Sequence, residues 1–179
     1  MNSKILFATF IMLGCLFSMA FAAGTSFSDI NNDIDQGLDT NFYQIKVKSG
    51  SLSQSDRMTL YSIKKKDVLI PFALNWFVGL GLGSYVQGDI YGGTTTLIGE
   101  SISLAILVSQ PKATGSAWFA NETAAIAGVS LIGFKIFELV RPFVYTDDYN
   151  KKLMDAMNLT AQIGPNVNGS IAIKFSTRF

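Results

Sequence analysis

Three long apolar stretches follow one another in the middle of this chain, and they limit what it can become. The first runs from Val68 to Val86 and carries no charge. The second runs from Tyr91 to Ser109 and is interrupted only by Glu100. The third runs from Glu122 to Tyr145, with Lys135, Glu138 and Arg141 toward its far half. Each is near the roughly 20 residues that a helix needs to cross the hydrocarbon core of a bilayer. Proline at position 71 falls in a first helical turn, where the missing amide hydrogen does no harm. The expected architecture is an all-α membrane protein with three transmembrane helices, a polar N-terminal arm and a short C-terminal β-hairpin.

Composition agrees with that medium and removes several kinds of chemistry. Only 15% of the 179 residues are charged, against about 25% in an average soluble domain. Fourteen basic residues face thirteen acidic ones, so no basic excess favours nucleic acid. The chain has no histidine, and its one cysteine is Cys15 in the N-terminal apolar run. Disulfides, thiolate zinc sites, Cys/His pairs and Ser-His-Asp triads all need residues that a chain cut after that run would lack. No catalytic, cofactor or metal site is expected, and the chain is not expected to be an enzyme.

The ends divide into recognisable segments. Residues 1–22 read as a signal peptide: Lys4 supplies the positive start, Ile5 to Phe17 the apolar core, and Ala20-Phe21-Ala22 the small-x-small cleavage pattern. Lipidation at Cys15 and an uncleaved anchor are the rival readings. Residues 23–67 form a polar arm. Within it Tyr43, Ile45 and Val47 alternate with polar neighbours, as in a short strand, although a flexible arm explains them equally well. Residues 51–66 read as a short amphipathic helix, with Ser51 or Ser53 as its cap. The membrane domain covers 68–145. In the tail, residues 146–179, Gly164-Pro165-Asn166 and Asn168-Gly169 separate segments that read as a β-hairpin ending at Phe179.

Polar and small residues mark the candidate functional positions. Asn75, Gly79, Gly83 and Gln87 recur every four residues, on one face of the first helix. The Gly79-x-x-x-Gly83 pair suits close backbone approach. That face serves packing alone, or it is a seam whose Asn75 and Gln87 touch water in a pore. On the second stretch Gly92, Thr96, Gly99, Glu100 and Ser103 share a face; on the third, Ala124, Gly128, Lys135, Glu138 and Arg141 do. Ionisable groups inside spans are costly and turn toward a bundle interior or a water path. Glu100 and Lys135 lie near mid-span on adjacent antiparallel helices, so they are expected to meet, either as a structural lock or as pore lining. Tyr85, Tyr91 and Tyr145 would mark one membrane interface, Trp118 and Phe119 the other. With a cleaved signal, Lys64-Lys65-Lys66 abuts the first span on the exported side, against the charge rule for the cytoplasmic membrane. An outer membrane escapes that conflict.

The run Ile70-Pro71-Phe72-Ala73-Leu74-Asn75 through Gly79-Leu80-Gly81-Leu82-Gly83-Ser84 to Gln87-Gly88-Asp89-Ile90-Tyr91-Gly92-Gly93 closely resembles the Borrelia thirteen-kilodalton outer-membrane protein family. Arg141-Pro142-Phe143 and Tyr149-Asn150-Lys151-Lys152-Leu153 add a weaker likeness. The resemblance implies an exported, surface-associated spirochaetal membrane protein with channel-forming activity, trimmed at its C-terminus. It carries no ligand-binding or catalytic residues. The functional expectation is an oligomeric, porin-like channel in the outer membrane, with lipid and further copies of the chain as partners and small ions as permeants. A non-channel interaction or structural protein is the alternative, and a small β-barrel is a third reading.

Overall fold

A computed structural model describes residues 26–110, 121–165 and 171–177. The expected signal segment 1–22 with Cys15, the aromatics Trp118 and Phe119, the turn residues Asn166, Asn168 and Gly169, and the terminal Phe179 lie outside them. The chain is mostly helical and divides into two compact units. One contains residues up to 64 together with those from 153 onward; the other is Lys65–Lys152.

The first unit has ordinary water-soluble polarity. Helix α1 (Phe27–Ser49) occupies the stretch expected to be a strand or a flexible arm. Its start is fixed by a capping box, in which the Ser26 hydroxyl accepts Asp29 N–H at 3.2 Å and the Asp29 carboxylate accepts Ser26 N–H at 3.0 Å. Ile30, Ile34, Leu38 and Ile45 then fall at helical spacing and are buried. The alternation at 43–47 is therefore incidental, since the period that buries side chains is helical. Gly37, with φ of 136°, kinks the helix. Helix α2 (Gln54–Lys64) is capped by Ser53, whose hydroxyl accepts Asp56 N–H at 3.1 Å, and it buries Leu60. The buried Arg57 guanidinium satisfies the carbonyls of Gly50 and Leu52. Strands β1 (Leu159–Pro165) and β2 (Ile171–Thr177) pair antiparallel, with Leu159 opposite Thr177 and Pro165 opposite Ile171.

The second unit is built differently from the sequence expectation. The first apolar stretch is not one span. It breaks into α3 (Leu69–Phe77) and α4 (Leu82–Gln87), separated by Gly79, Leu80 and Gly81, all with φ between 58° and 79°. At about 1.5 Å per residue these helices are about 13 and 9 Å long, far short of the roughly 30 Å of hydrocarbon. Two helices long and apolar enough to cross follow, α5 (Ile90–Ser109) and α6 (Glu122–Ala156). Helix α6 runs on well past Tyr145, where the sequence suggested that it would end.

The chain reverses between α3 and α4. A Cβ on Gly83 would collide with the carbonyl oxygen of Pro71, so α4 lies back against the start of α3. The two ends of the pair meet: Lys66, ahead of α3, donates its ammonium to the Gln87 carbonyl at the end of α4. This is a helical hairpin whose two ends lie together. Its tip contacts Glu138, seven positions or about 10 Å along α6 from the Tyr145 level at its base.

The first unit joins segments that are distant in sequence. Residues 26–64 and 153–177 are joined in it by a Lys46–Asp155 ion pair at 2.9 Å and by Asn158 Nδ2 donating to the Lys46 carbonyl at 2.8 Å.

Candidate functional site

The second unit is inverted in polarity. Pro71, Ala124, Ala127 and Pro142 are its buried apolar side chains among the described residues, whereas Asn75, Ser84, Gln87, Asp89, Thr96, Glu100, Ser103 and Glu138 are all buried. Ile98, Ile102, Val129, Ile132, Ile136 and Val140 point outward and are more than half exposed. Water selects the opposite arrangement. A surface this apolar around a polar interior fits hydrocarbon as the surrounding medium.

The interior polar groups repair the backbone. Pro142 has no amide hydrogen, so the carbonyl four residues earlier, that of Glu138, lacks its helical donor. Asn75 Nδ2 supplies one at 2.8 Å, while Asn75 Oδ1 accepts Gly83 N–H at 2.7 Å. Gln87 Nε2 donates to the Pro142 carbonyl at 3.0 Å and to Thr146 Oγ1 at 2.6 Å. Two broken helices thus complete one another's hydrogen bonding, which hydrocarbon would not do.

At the hairpin tip the charges converge. Lys135 Nζ lies 2.6 Å from Glu138 Oε2 and 3.3 Å from Glu100 Oε1. The remaining oxygens accept from the tip backbone: Leu80 N–H reaches Glu100 Oε2 at 3.0 Å, and Gly81 N–H reaches Glu138 Oε1 at 2.7 Å. Both carboxylates are buried, but the Lys135 side chain is 42% exposed. Gly79 is required here twice over, by its φ of 79° and because a Cβ would stand 2.7 Å from Lys135 Nζ.

The structure therefore brings together six of the seven residues singled out in the sequence, though not as proposed, and sets Gln87 apart at the base of the hairpin against Pro142 and Thr146. Asn75, Gly79, Gly83 and Gln87 do not share the face of one straight helix, because the chain turns back at 79–81. The spacing that suggested a seam for a separate helix instead lets the two arms of one hairpin touch. Glu100 and Lys135 do pair, with Glu138 as a third member. The small stripe Gly92, Thr96, Gly99, Glu100 and Ser103 is buried throughout, and a Cβ on Gly99 would strike the Phe134 ring. On α6, Gly128 has no neighbour within 4 Å of its Cβ position, so it is not part of that packing.

Asp89 was missed. It caps α5 by accepting Gly92 N–H at 3.0 Å and holds Arg141 through two contacts, Nε at 2.5 Å and Nη2 at 3.0 Å. Its place just ahead of an apolar helix was the available signal. At the same base level Lys66 lies against the rings of Tyr145 and Tyr149, 4.8 and 4.4 Å from their centroids. Tyr145 donates to the Gly88 carbonyl at 3.1 Å.

The model of the family described as Borrelia membrane protein P13 matches residues 58–179, which include the hairpin, both crossing helices and every residue of the tip. The chain belongs to the Borrelia membrane protein P13 family. No curated protein and no solved structure matches it. Membership and the inverted unit agree: this P13-family chain is a membrane protein, and the family resemblance read from the Pro71 to Gly93 run is the one found.

Proposed function

We propose that several copies of this chain form a porin-like channel in the outer membrane, passing small ions or small solutes. The observation that carries the reading is the tip of the helical hairpin. Non-helical backbone at membrane depth is tolerated where protein buries it or where it lines water. Beside the Gly79–Gly81 tip stands Lys135, whose side chain is 42% exposed. A lone charge at a helix centre costs roughly 2.5–3.5 kcal/mol on translocon scales; facing water relieves that penalty. Two spans and a half-depth hairpin cannot enclose a lumen, so the channel requires copies arranged about an axis. Catalysis has no part in this reading: the two carboxylates are held by lysine and by backbone amides.

Planar-bilayer recording of the purified protein tests it. Discrete conductance steps are expected, and their reversal potential in a salt gradient should shift when Lys135 is changed to Met. A silent bilayer at concentrations where vesicle incorporation is demonstrated would leave the alternative, a membrane protein whose charge cluster only locks its helices. Fractionation with surface proteolysis of intact cells tests the outer-membrane assignment; recovery with inner-membrane markers would remove it.

A further inference from the structure

Among the described residues, two buried side-chain atoms, Ser84 Oγ and Gln87 Oε1, lack a hydrogen-bond partner, and a third, Glu100 Oε1, has only the Lys135 ammonium at 3.3 Å. They occupy three successive levels of the helical hairpin. Glu100 lies at the tip, where its other oxygen accepts Leu80 N–H. Ser84, fully enclosed, is midway along α4. Gln87 is at the base, with its amide nitrogen committed to Pro142 and Thr146. From Leu80 to Gln87 the column covers about 10 Å.

From this arrangement we infer that a file of internal water molecules runs along the inner face of α4, from the base of the hairpin to Glu100. Buried polar atoms are nearly always satisfied; Gln87 Oε1 has no donor, and Glu100 Oε1 has only the 3.3 Å contact with Lys135. Lys66 donates to the Gln87 carbonyl at the base, and at the tip Lys135 hydrogen-bonds Glu138 and stands 3.3 Å from Glu100 Oε1. Lys135 would repel a second cation there, which favours a neutral ligand that donates and accepts. Internal water occurs at about one molecule per 27 residues, so a unit of this size holds about three. The consequence is that Glu100 is hydrated from the base of the hairpin as well as from the edge where Lys135 is exposed.

Magnetisation transfer from water to the full chain, followed by solid-state NMR in vesicles of chain-deuterated phosphatidylcholine, tests the file. Build-up at Ser84 Cβ and Glu100 Cδ is expected to approach that at Gln87. It should be several-fold faster than at Thr96, which is equally buried but satisfied by the Gly92 carbonyl. Ser84 build-up no faster than that of Thr96 would overturn the inference. Ser84→Val should interrupt the file, slowing transfer to Glu100 several-fold while leaving Gln87 unchanged; Ser84→Thr, which keeps the hydroxyl, should preserve it. Unchanged transfer to Glu100 in a folded Ser84→Val protein would mean hydration only from the Lys135 edge. Transfer that appears only after sodium or potassium is added would identify an ion site instead. Bilayer conductance is a separate measurement, so failure of the channel reading does not decide this one.

Discussion

Asn75 and Pro142 are coupled because one repairs what the other breaks. Asn75→Leu strips the donor from the Glu138 carbonyl and the acceptor from Gly83 N–H. Each buried group left unpaired costs about 1–3 kcal/mol. Pro142→Ala restores a helical donor to the Glu138 carbonyl, so in its background Asn75→Leu should cost less. Unfolding in mixed micelles should show a coupling of roughly 0.5–3 kcal/mol, and strictly additive costs would refute the repair. The charge cluster behaves differently from a simple pair. Changing Glu100 to Gln and Lys135 to Met together leaves Glu138 without its 2.6 Å partner, so that double variant should stay destabilised. Adding Glu138→Gln should recover much of the loss, because the breaking of a buried charge group, not its absence, is what destabilises. A double variant as stable as the triple would show that Glu138 needs no counter-charge. The Glu100–Lys135 contact was legible in the sequence because both sit mid-stretch on polar faces. Its third member was assigned to the right face but not to the cluster, since nothing in the spacing places the hairpin tip beside Glu138.

At the scale of elements, the same glycines meant one thing as spacing and another as backbone. Read as a pattern, Gly79, Gly81 and Gly83 are small residues on a continuous helix. Read as conformation, the first two permit positive φ, and the third admits the Pro71 carbonyl. Leu80 shares the turn at φ of 58°, which L side chains other than Asn and Asp seldom adopt. Leu80→Gly should therefore leave the hairpin at least as stable, while Leu80→Val should weaken it. Gly83→Ala should destabilise by more than the 1–3 kcal/mol of ordinary overpacking, since the obstacle is backbone. Gly128→Ala, with open space around it, should gain up to about 1 kcal/mol of helix propensity. Equal effects at 83 and 128 in thermal unfolding would contradict the hairpin geometry. Helix α1 was concealed by a competing period of two at residues 43–47, yet the capping box at Ser26 and Asp29 was readable. Hydrogen bonds from the Ser26 backbone and hydroxyl hold the Asp29 carboxyl below its ordinary range. Its contribution is complete above that ordinary value and fades as pH falls through the lowered one. Carboxyl NMR shifts should locate that midpoint, and Ser26→Ala, which removes the hydroxyl but keeps the backbone donor, should raise it part of the way; an unmoved midpoint would exclude the hydroxyl as a cause.

For the whole molecule the number of crossings matters most, and it was the least legible quantity. Hydropathy counts apolar residues, and a helical hairpin has as many as a span. What distinguishes it is the reversal at 79–81, which depends on contacts distant in sequence. The two-crossing arrangement is tested by placing single cysteines at Ser28 and Asp155. Both should react with an impermeant thiol reagent from the same side, and Ile102→Cys and Ile132→Cys should be protected. Reaction of the first two from opposite sides would restore an odd number of crossings.

The joining of residues 26–64 to 153–177 in one unit has a further meaning for how the chain is held together. The chain leaves that unit after residue 64 and returns to it at residue 153, and the two ends of this loop are fastened by Lys46–Asp155 and by Asn158 on the Lys46 carbonyl. A loop fastened in this way is not held by its covalent path alone. Cut between residues 110 and 121, it falls into two fragments, each carrying one crossing helix and one half of the fastening. Such fragments, produced separately, carry the means to find each other again, and a permuted chain that begins at residue 121 and ends at 110 would present the membrane with the same bundle in a new order.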